Sequence, residues 1–391
     1  MQETIINNVT VKSWVTELDE HGRQEVYNLC RLPFVFHHIA LMPDAHGGKG
    51  MPIGGVLATK NAVIPNAVGV DIGCGMCAVK TSVRVDELTP EILRKGILRG
   101  IRKQIPLGRD RHKTPQPEEY MPQGFDIDAT TTVVARQINA ARKQIGTLGG
   151  GNHFIELQRD DEGYLWIMIH SGSRNLGKQV GEFYNQKAEM LNRRWYSSVV
   201  SDLSLPFLPV KSDEFSQYWA EMEYCVEFAL CNRRLIMHRI QEVIGDTIPD
   251  TRFEPMINIA HNYAAWENHF GENCIVHRKG ATLATAGTVG IIPGSQGTCS
   301  YITEGLGNPE SFMSCSHGAG RRLSRTEARN TLSLQDEIAR LDSLGIVHAV
   351  RSKADLDEST GAYKDIDEVM AAQSDLVRIR TRLTPIAVIK G

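Results

Sequence analysis

The sequence predicts a mixed α/β protein with central β-sheets, flanking helices and a helical insertion. Three observations carry this reading. Short apolar runs bounded by glycine, such as Gly54-Gly55-Val56-Leu57-Ala58 and Leu165-Trp166-Ile167-Met168-Ile169, have the length and flanks of buried strands. Capped segments with helical spacing lie between them. One stretch, residues 180–248, is poor in glycine and rich in helix formers.

Thr89-Pro90-Glu91 offers an N-cap and a proline at the first helical position, and opens a helix to about Gln104. Within residues 180–248, Phe215, Tyr218, Trp219, Met222, Val226, Ala229, Leu230, Met237 and Ile240 form a stripe at helical spacing, read as core packing. A break falls at Leu203 to Pro209. The stretch is either an insertion packed on a strand-rich body or an ordinary part of one α/β domain. Ser324-Arg325-Thr326-Glu327 is a capping box, predicting a helix to about Leu341, and Asp365 to about Arg380 reads as another. Glycines cluster at Gly47 to Gly55, Gly69 to Gly75, Gly146 to Gly151, Gly172 to Gly181, Gly287 to Gly297 and Gly305 to Gly320. Six clusters at strand ends suggest one site assembled from many loops. No linker divides the chain, so residues 1–391 read as a single domain.

With 43 Lys and Arg against 46 Asp and Glu, the net charge is −3. This excludes a polyanion binder that works by bulk charge, so any nucleic-acid contact must use a local basic patch. Met1-Gln2-Glu3-Thr4 carries no signal-peptide pattern, and the longest uncharged run, Gly280 to Thr303, is too polar and broken for a membrane helix. Eight scattered cysteines are too few for a disulfide scaffold. A cytoplasmic protein with reduced thiols and no membrane contact is expected.

Five constellations carry chemistry. In Gly69-Val70-Asp71-Ile72-Gly73-Cys74-Gly75-Met76-Cys77, a carboxylate and a thiol sit three residues apart on a glycine-rich turn. A thiolate is a soft ligand that can bridge two metals, and a carboxylate is a hard one. Cys74-x-x-Cys77 has the alternative reading of half a zinc knuckle or a redox pair, but no second Cys-x-x-Cys accompanies it. Gly151-Asn152-His153-Phe154-Ile155-Glu156, His170-Ser171-Gly172-Ser173-Arg174 and Ile259-Ala260-His261-Asn262 each set a histidine beside a probable strand. A mixed Asp/Cys/His set fits a two-metal centre. Each histidine singly is more often structural than liganding. His112, His238, His269 and His348 lack such surroundings and read as surface or packing residues. Asp44 and His46, in Pro43-Asp44-Ala45-His46-Gly47-Gly48-Lys49-Gly50, read as neighbours of the site, and His37 and His38 adjoin that loop.

The fifth constellation is Ser316-His317-Gly318-Ala319-Gly320-Arg321-Arg322, leading into the capped helix. Backbone N–H groups, a helix N-terminus and guanidinium groups are phosphate-binding equipment. A histidine there can attack phosphorus, or only hydrogen-bond a phosphate. The residues alone lead to metal-dependent phosphoryl or nucleotidyl transfer.

Taken as an ordered set from about Leu41 to Gly391, these motifs resemble the RNA-splicing ligase RtcB family, in its short bacterial form. Arg278-Lys279-Gly280-Ala281 and the terminal Val388-Ile389-Lys390-Gly391 match it too. The resemblance implies an RtcB-type fold, two Mn²⁺ ions and GTP. It implies that Cys74 bridges the metals, with Asp71 and His153 completing one site and His170 and His261 the other. His317 is implied as the catalytic nucleophile that takes GMP from GTP and passes it to an RNA 3′-phosphate, which a 5′-hydroxyl then attacks, expelling GMP. A 2′,3′-cyclic phosphate is first opened.

By the same resemblance Asn152, His153, Phe154, Ile155, Glu156, His261, Asn262, Pro293, Gly294, Ser295, Gln296, Ser300, His317, Gly318, Ala319, Gly320, Tyr363 and Lys390 hold the nucleotide. Arg174, Lys279 and Arg321 contact phosphates or RNA ends. The expected partner is RNA with 3′-phosphate or 2′,3′-cyclic phosphate and 5′-hydroxyl ends, in RNA repair or tRNA splicing. Alternatives are an end-processing enzyme without efficient sealing and a non-catalytic RNA-binding homologue. Departures from the family pattern are the short stretch before the first motif, Gln296 where many members have Met, and Asn175 where many have Gly.

Overall fold

Two sheets and the chain crossings between them set the architecture. The computed structural model describes residues 1–126, 132–199 and 203–391. The first sheet has six strands, in the order Gln2–Ile6, Val9–Ser13, Val35–Lys49, Met51–Thr59, Glu272–Lys279 and Asn262–His269. Only the pairing of Val9–Ser13 with Val35–Lys49 is parallel. The second has seven antiparallel strands, in the order Ile257–Ala260, Gly75–Arg84, Tyr164–Ser171, Phe154–Asp160, Val377–Lys390, Ser300–Gly305 and Val289–Ile292. Both glycine-bounded runs singled out in the sequence are strands.

The chain steps from the second sheet to the first at His261, between the strands Ile257–Ala260 and Asn262–His269. A two-stranded ribbon, Ala281–Leu283 with Ser314–Ser316, ends at His317. Gly75 lies where backbones cross closely: a Cβ there would fall 2.0 Å from the Ile259 carbonyl oxygen.

Residues 180–248 hold most of the helix Arg174–Arg194 and all of the 35-residue helix Asp213–Thr247. The sequence-predicted break is real: Leu208–Pro209 pairs with Ala62–Val63, while residues 200–202 lie outside the described residues. Phe215, Tyr218, Met222, Ala229, Met237 and Ile240 are buried, so the stripe is core.

Three helix boundaries differ from expectation. The segment opened by Thr89, whose hydroxyl accepts from Ile92 N at 3.2 Å, is a π-helix over Ile92–Leu98 that becomes α over Arg99–Gln104. The helix opened by the Ser324 capping box stops at Thr331, and Ser333 caps a second one, Leu334–Ser343. Leu332 between them is extended, which breaks the turn. The helix expected from Asp365 to Arg380 covers only Ile366–Ala372. From Val377 the chain is a strand, and the alternation Val377-Arg378-Ile379-Arg380-Thr381-Arg382-Leu383 carries that two-residue period.

Candidate active site

A cavity of about 1330 Å³ opens where the two sheets, the ribbon and the glycine loops converge. Asp71, Cys74, His170, His261 and His317 line it together. Cys74 and Asp71 sit on the turn that feeds the strand Gly75–Arg84, with Cys74 N bonded to Asp71 O at 3.1 Å. His170 ends the neighbouring strand, and His153 precedes Phe154–Asp160. His261 N donates to Cys74 O at 2.8 Å, which ties the sheet crossing to the thiol.

The Cys74 sulfur stands 3.4 Å from His153 Nε2 and 3.2 Å from His170 Nε2. Asp71 Oδ2 lies 3.3 Å from His153 Nε2. These spacings are ones a cation bonded at roughly 2.0–2.3 Å to nitrogen and sulfur would span. The rings are oriented from behind: His153 Nδ1 lies 3.0 Å from the Leu148 carbonyl and His170 Nδ1 3.2 Å from that of Asn152. A carbonyl only accepts, so it fixes the proton on Nδ1 and leaves the Nε2 lone pair facing the sulfur. An Arg174 Nη1 also lies 3.2 Å from His153 Nδ1. It cannot donate to a nitrogen that holds a proton, so that contact is packing.

The His261 ring is 5.2 Å from that of His170 and 4.8 Å from that of His317, and its buried Nδ1 has no hydrogen-bond partner among the described residues. Burial pushes the pKa of His170 and His261 far down, so both are neutral. Burial pushes the Cys74 thiol up, and the Asp71 charge adds to this. The orphaned His261 nitrogen and the thiol, imidazole and carboxylate donors fit a divalent transition metal, with Cys74 central in the set. Cys77 is in the apolar core with its pKa pushed up to about 12 by burial, so it faces away from the donor cluster that Cys74 joins.

His317 belongs to a separate device. Its Nδ1 is 2.6 Å from Asp44 Oδ2, and the same oxygen lies 3.2 Å from the backbone nitrogens of His317 and Gly318. Burial raises the Asp44 pKa, but the charge and hydrogen bond of His317 outweigh it and hold the carboxyl below its usual range. Asp44 therefore stays ionised and accepts the hydrogen bond from Nδ1–H, which leaves Nε2 as the free nitrogen of the neutral ring. Gly320 has φ +74, and a Cβ there would strike the Asp44 carbonyl at 2.2 Å, so only glycine lets the loop close over Asp44. His46 also lines the cavity.

The nucleotide candidates fall into three groups. Asn152, Phe154, Glu156, Asn262, Pro293, Gly294, Ser295, Gln296, Gly318, Ala319, Gly320, Tyr363 and Lys390 line the cavity. Asn262 is committed elsewhere: it accepts from Gly280 N at 2.8 Å and donates to Asp71 O at 3.1 Å, holding the turn that carries Asp71 and Cys74. Ser300 supports the Pro293 loop from behind by accepting from Gly294 N at 3.1 Å. Ile155 is in the core, because strand alternation turns it away from Phe154 and Glu156; any contact it makes with a nucleotide is through its main chain. Glu156, 3% exposed and bonded to Gln158, has its pKa pushed up to about 8 by burial.

Lys279 and Arg321 line the cavity, whereas Arg174 stands behind His153, with Nε bonded to Thr147 Oγ1 at 3.2 Å. Lys279 donates to the carbonyls of Lys49 and Asn66, and burial lowers its pKa to about 8. His37 and His38 stack on Phe270 and Phe312, away from the cavity.

Three further residues went unnoticed in the sequence. Glu358, 3% exposed, gathers Arg325 at 2.9 Å, Arg321 at 3.3 Å, Lys390 at 4.0 Å and the Tyr363 hydroxyl. Gln296 donates to its carbonyl at 2.9 Å. From the long helix, Arg233 Nη1 donates to Gly73 O at 3.0 Å and Ser171 O at 2.8 Å, and Asn232 Oδ1 accepts from Gly146 N at 2.7 Å. A buried charge inside an apolar helical stripe is the signal that could have found Arg233.

The family model of the tRNA-splicing ligase RtcB matches residues 25–391. The chain is 40% identical to the RNA-splicing ligase RtcB of Escherichia coli K12 over 98% of each chain. It is 33% identical to the RNA-splicing ligase RtcB of Mycobacterium bovis, over 94% of this chain and all of that protein. With the tRNA-splicing ligase RtcB of Thermococcus kodakarensis the identity is 32%, over 94% of this chain and 90% of that one. The protein is an enzyme of the ligase class. It belongs to the RtcB family of RNA-splicing ligases, and the match begins upstream of the first motif read in the sequence. Among the described residues no helix is long and apolar enough to cross a membrane.

Proposed function

We propose that the protein joins RNA 3′-phosphate or 2′,3′-cyclic phosphate ends to 5′-hydroxyl ends, using GTP and two Mn²⁺ ions, through a His317–GMP intermediate. The observation that carries this is that His317, paired with Asp44, lines the same cavity as Asp71, Cys74, His170 and His261, with His153 against Cys74 and Asp71. Cys74, His153 and His170 offer ligand atoms within 4.8 Å of one another, with Asp71 beside His153 and His261 beside His170, so these five residues would hold the ions. Bound metal neutralises phosphate charge and orients in-line attack.

Nε2 of His317 attacks the α-phosphorus of GTP. The N–P bond forms, the bond to the β-phosphate oxygen breaks and pyrophosphate leaves. Asp44 keeps the ring proton on Nδ1 by accepting its hydrogen bond and stabilises the ring as it gains charge. An oxygen of the RNA 3′-phosphate then displaces the histidine, giving a guanylylated 3′ end. The 5′-hydroxyl oxygen attacks the RNA phosphorus, loses its proton and expels GMP. A cyclic phosphate end is opened by water beforehand. The Glu358 cluster orients Arg321, Lys390 and Tyr363 around the nucleotide. Unpaired thiols suit action in the cytoplasm, in tRNA splicing or RNA repair.

Intact mass after incubation with GTP and Mn²⁺ tests the first step. One added GMP, absent in His317→Ala, is expected. No addition, or addition that persists in the variant, would falsify the mechanism. End-labelled RNA with a 2′,3′-cyclic phosphate and a 5′-hydroxyl tests sealing. Capped ends that accumulate without joined product would reassign the enzyme to end processing.

A further inference from the structure

The chain is net −3, yet residues 92–113 hold eight Lys and Arg against one Asp. Arg94, Lys95, Arg99, Arg102, Lys103, Arg109, Arg111 and Lys113 are all exposed. Among the described residues, only Lys95 of these has a carboxylate partner, Glu91 at 3.0 Å. The helix macrodipole accounts for Arg102 and Lys103 near the end of Arg99–Gln104. It does not account for Arg109, Arg111 and Lys113, which lie in a loop. Arg99 faces Arg102 and Lys103 at helical spacings of three and four, a like-charge arrangement that works against the helix. An ordinary solvated face balances its signs, and this one, with Asp110 alone among its eight cations, does not.

The loop end of the strip is tied to segments whose next residues, Asn152 and Lys390, line the cavity. Gly108 N donates to Gly149 O at 3.0 Å, and Leu148 N to Pro106 O at 3.0 Å. Gly391 packs between Gly108 and Gly149, and its neighbour Lys390 lines the cavity. Inside the cavity, Arg321, Arg325 and Lys390 are engaged by Glu358, and Lys279 by two carbonyls. Arg322 and Lys364 in the cavity likewise donate to carbonyls, so these cations are held at the reacting end and the strip offers charge to the strand beyond it.

We propose that Arg99, Arg102, Lys103, Arg109, Arg111 and Lys113 form the docking strip for the phosphate backbone of a single RNA strand whose end enters the cavity beside Gly149–Gly151. The proposal rests on the RNA-ligase reading, and its test separates the two. The full chain carrying Arg102→Gln, Lys103→Gln, Arg109→Gln and Arg111→Gln is compared with the unaltered chain. The readouts are fluorescence-anisotropy binding, across a salt series, of a dinucleotide and of a single-stranded RNA long enough to span the strip.

Expected is a loss of at least roughly tenfold in long-RNA affinity at low salt, and a salt slope smaller by about 0.7 for each phosphate contact removed. Dinucleotide binding and GMP addition stay unchanged. Arg378→Gln with Arg380→Gln, on exposed cations paired with Glu304, leaves long-RNA binding intact. Unchanged long-RNA affinity and slope in the fourfold variant would overturn the strip, as would an equal loss in the control, or no preference of the unaltered chain for long RNA. Absence of GMP addition to the unaltered chain would sink the ligase chemistry alone, and the binding result would still decide the strip.

Discussion

Which nitrogen of His317 is free is decided by a carboxylate from another strand. Asp44 Oδ2 lies against Nδ1 and is fully buried. In Asp44→Asn the amide can offer N–H to Nδ1 instead, which puts the ring proton on Nε2 and blocks attack. The rate of GMP addition in that variant is expected to fall by roughly 10²–10⁴-fold with the fold retained, measured by mass spectrometry over time. Glu156 makes a pH prediction. Its pKa rises from 4.5 unfolded to about 8 folded through burial, so the folded protein holds the extra proton between those values. Its contribution to stability is full below about pH 4.5 and is lost as pH rises to about 8. Glu156→Gln is expected to remove that decline, read as the pH dependence of the urea midpoint relative to the unaltered chain. An identical slope in both proteins would show that Glu156 is ionised when folded.

The helix Asp213–Thr247 braces the site. Its Arg233 is fully buried and bonds Gly73 O, Ser171 O and Asn258 Oδ1, at the roots of the turn carrying Cys74 and the strand carrying His170. Arg233→Met would orphan three acceptors, at about 1–3 kcal/mol each where they stay dry. A destabilisation of several kcal/mol in urea unfolding is expected, with weaker metal binding at temperatures where the variant is folded. Element boundaries misread in the sequence have local causes. A strong cap at Ser324 announces a start, but an extended Leu332 and a second cap at Ser333 end the helix within two turns. Arg378, Arg380 and Arg382 alternate on a strand that borders Glu304, and a polar alternating strand looks like a helix surface to composition alone.

At the scale of the molecule, the site exists only where the sheets meet. Cys74 and His170 come from the second sheet, His261 from the crossing, and Asp44 from the first. An ion there binds the folded chain and not the unfolded one, and so stabilises it by mass action, by about 2.7 kcal/mol at a hundredfold excess over Kd. Adding Mn²⁺ is expected to raise the melting temperature by a few degrees, and His170→Ala to remove most of that rise. A shift of equal size in the variant would place the ion elsewhere.

The sequence by itself determined the parts list. Glycine-bounded runs gave the strands, and thiol, imidazole and carboxylate at glycine turns gave the candidate donors, of which Asp71, Cys74, His170 and His261 line one cavity with His317, because ligand chemistry and turn geometry are written locally. Glu358, Arg233 and the pairing of Asp44 with His317 were decided only by the tertiary structure. Asp44 and His317 lie 273 residues apart, and a buried charge reveals its purpose only through the partners that folding brings to it.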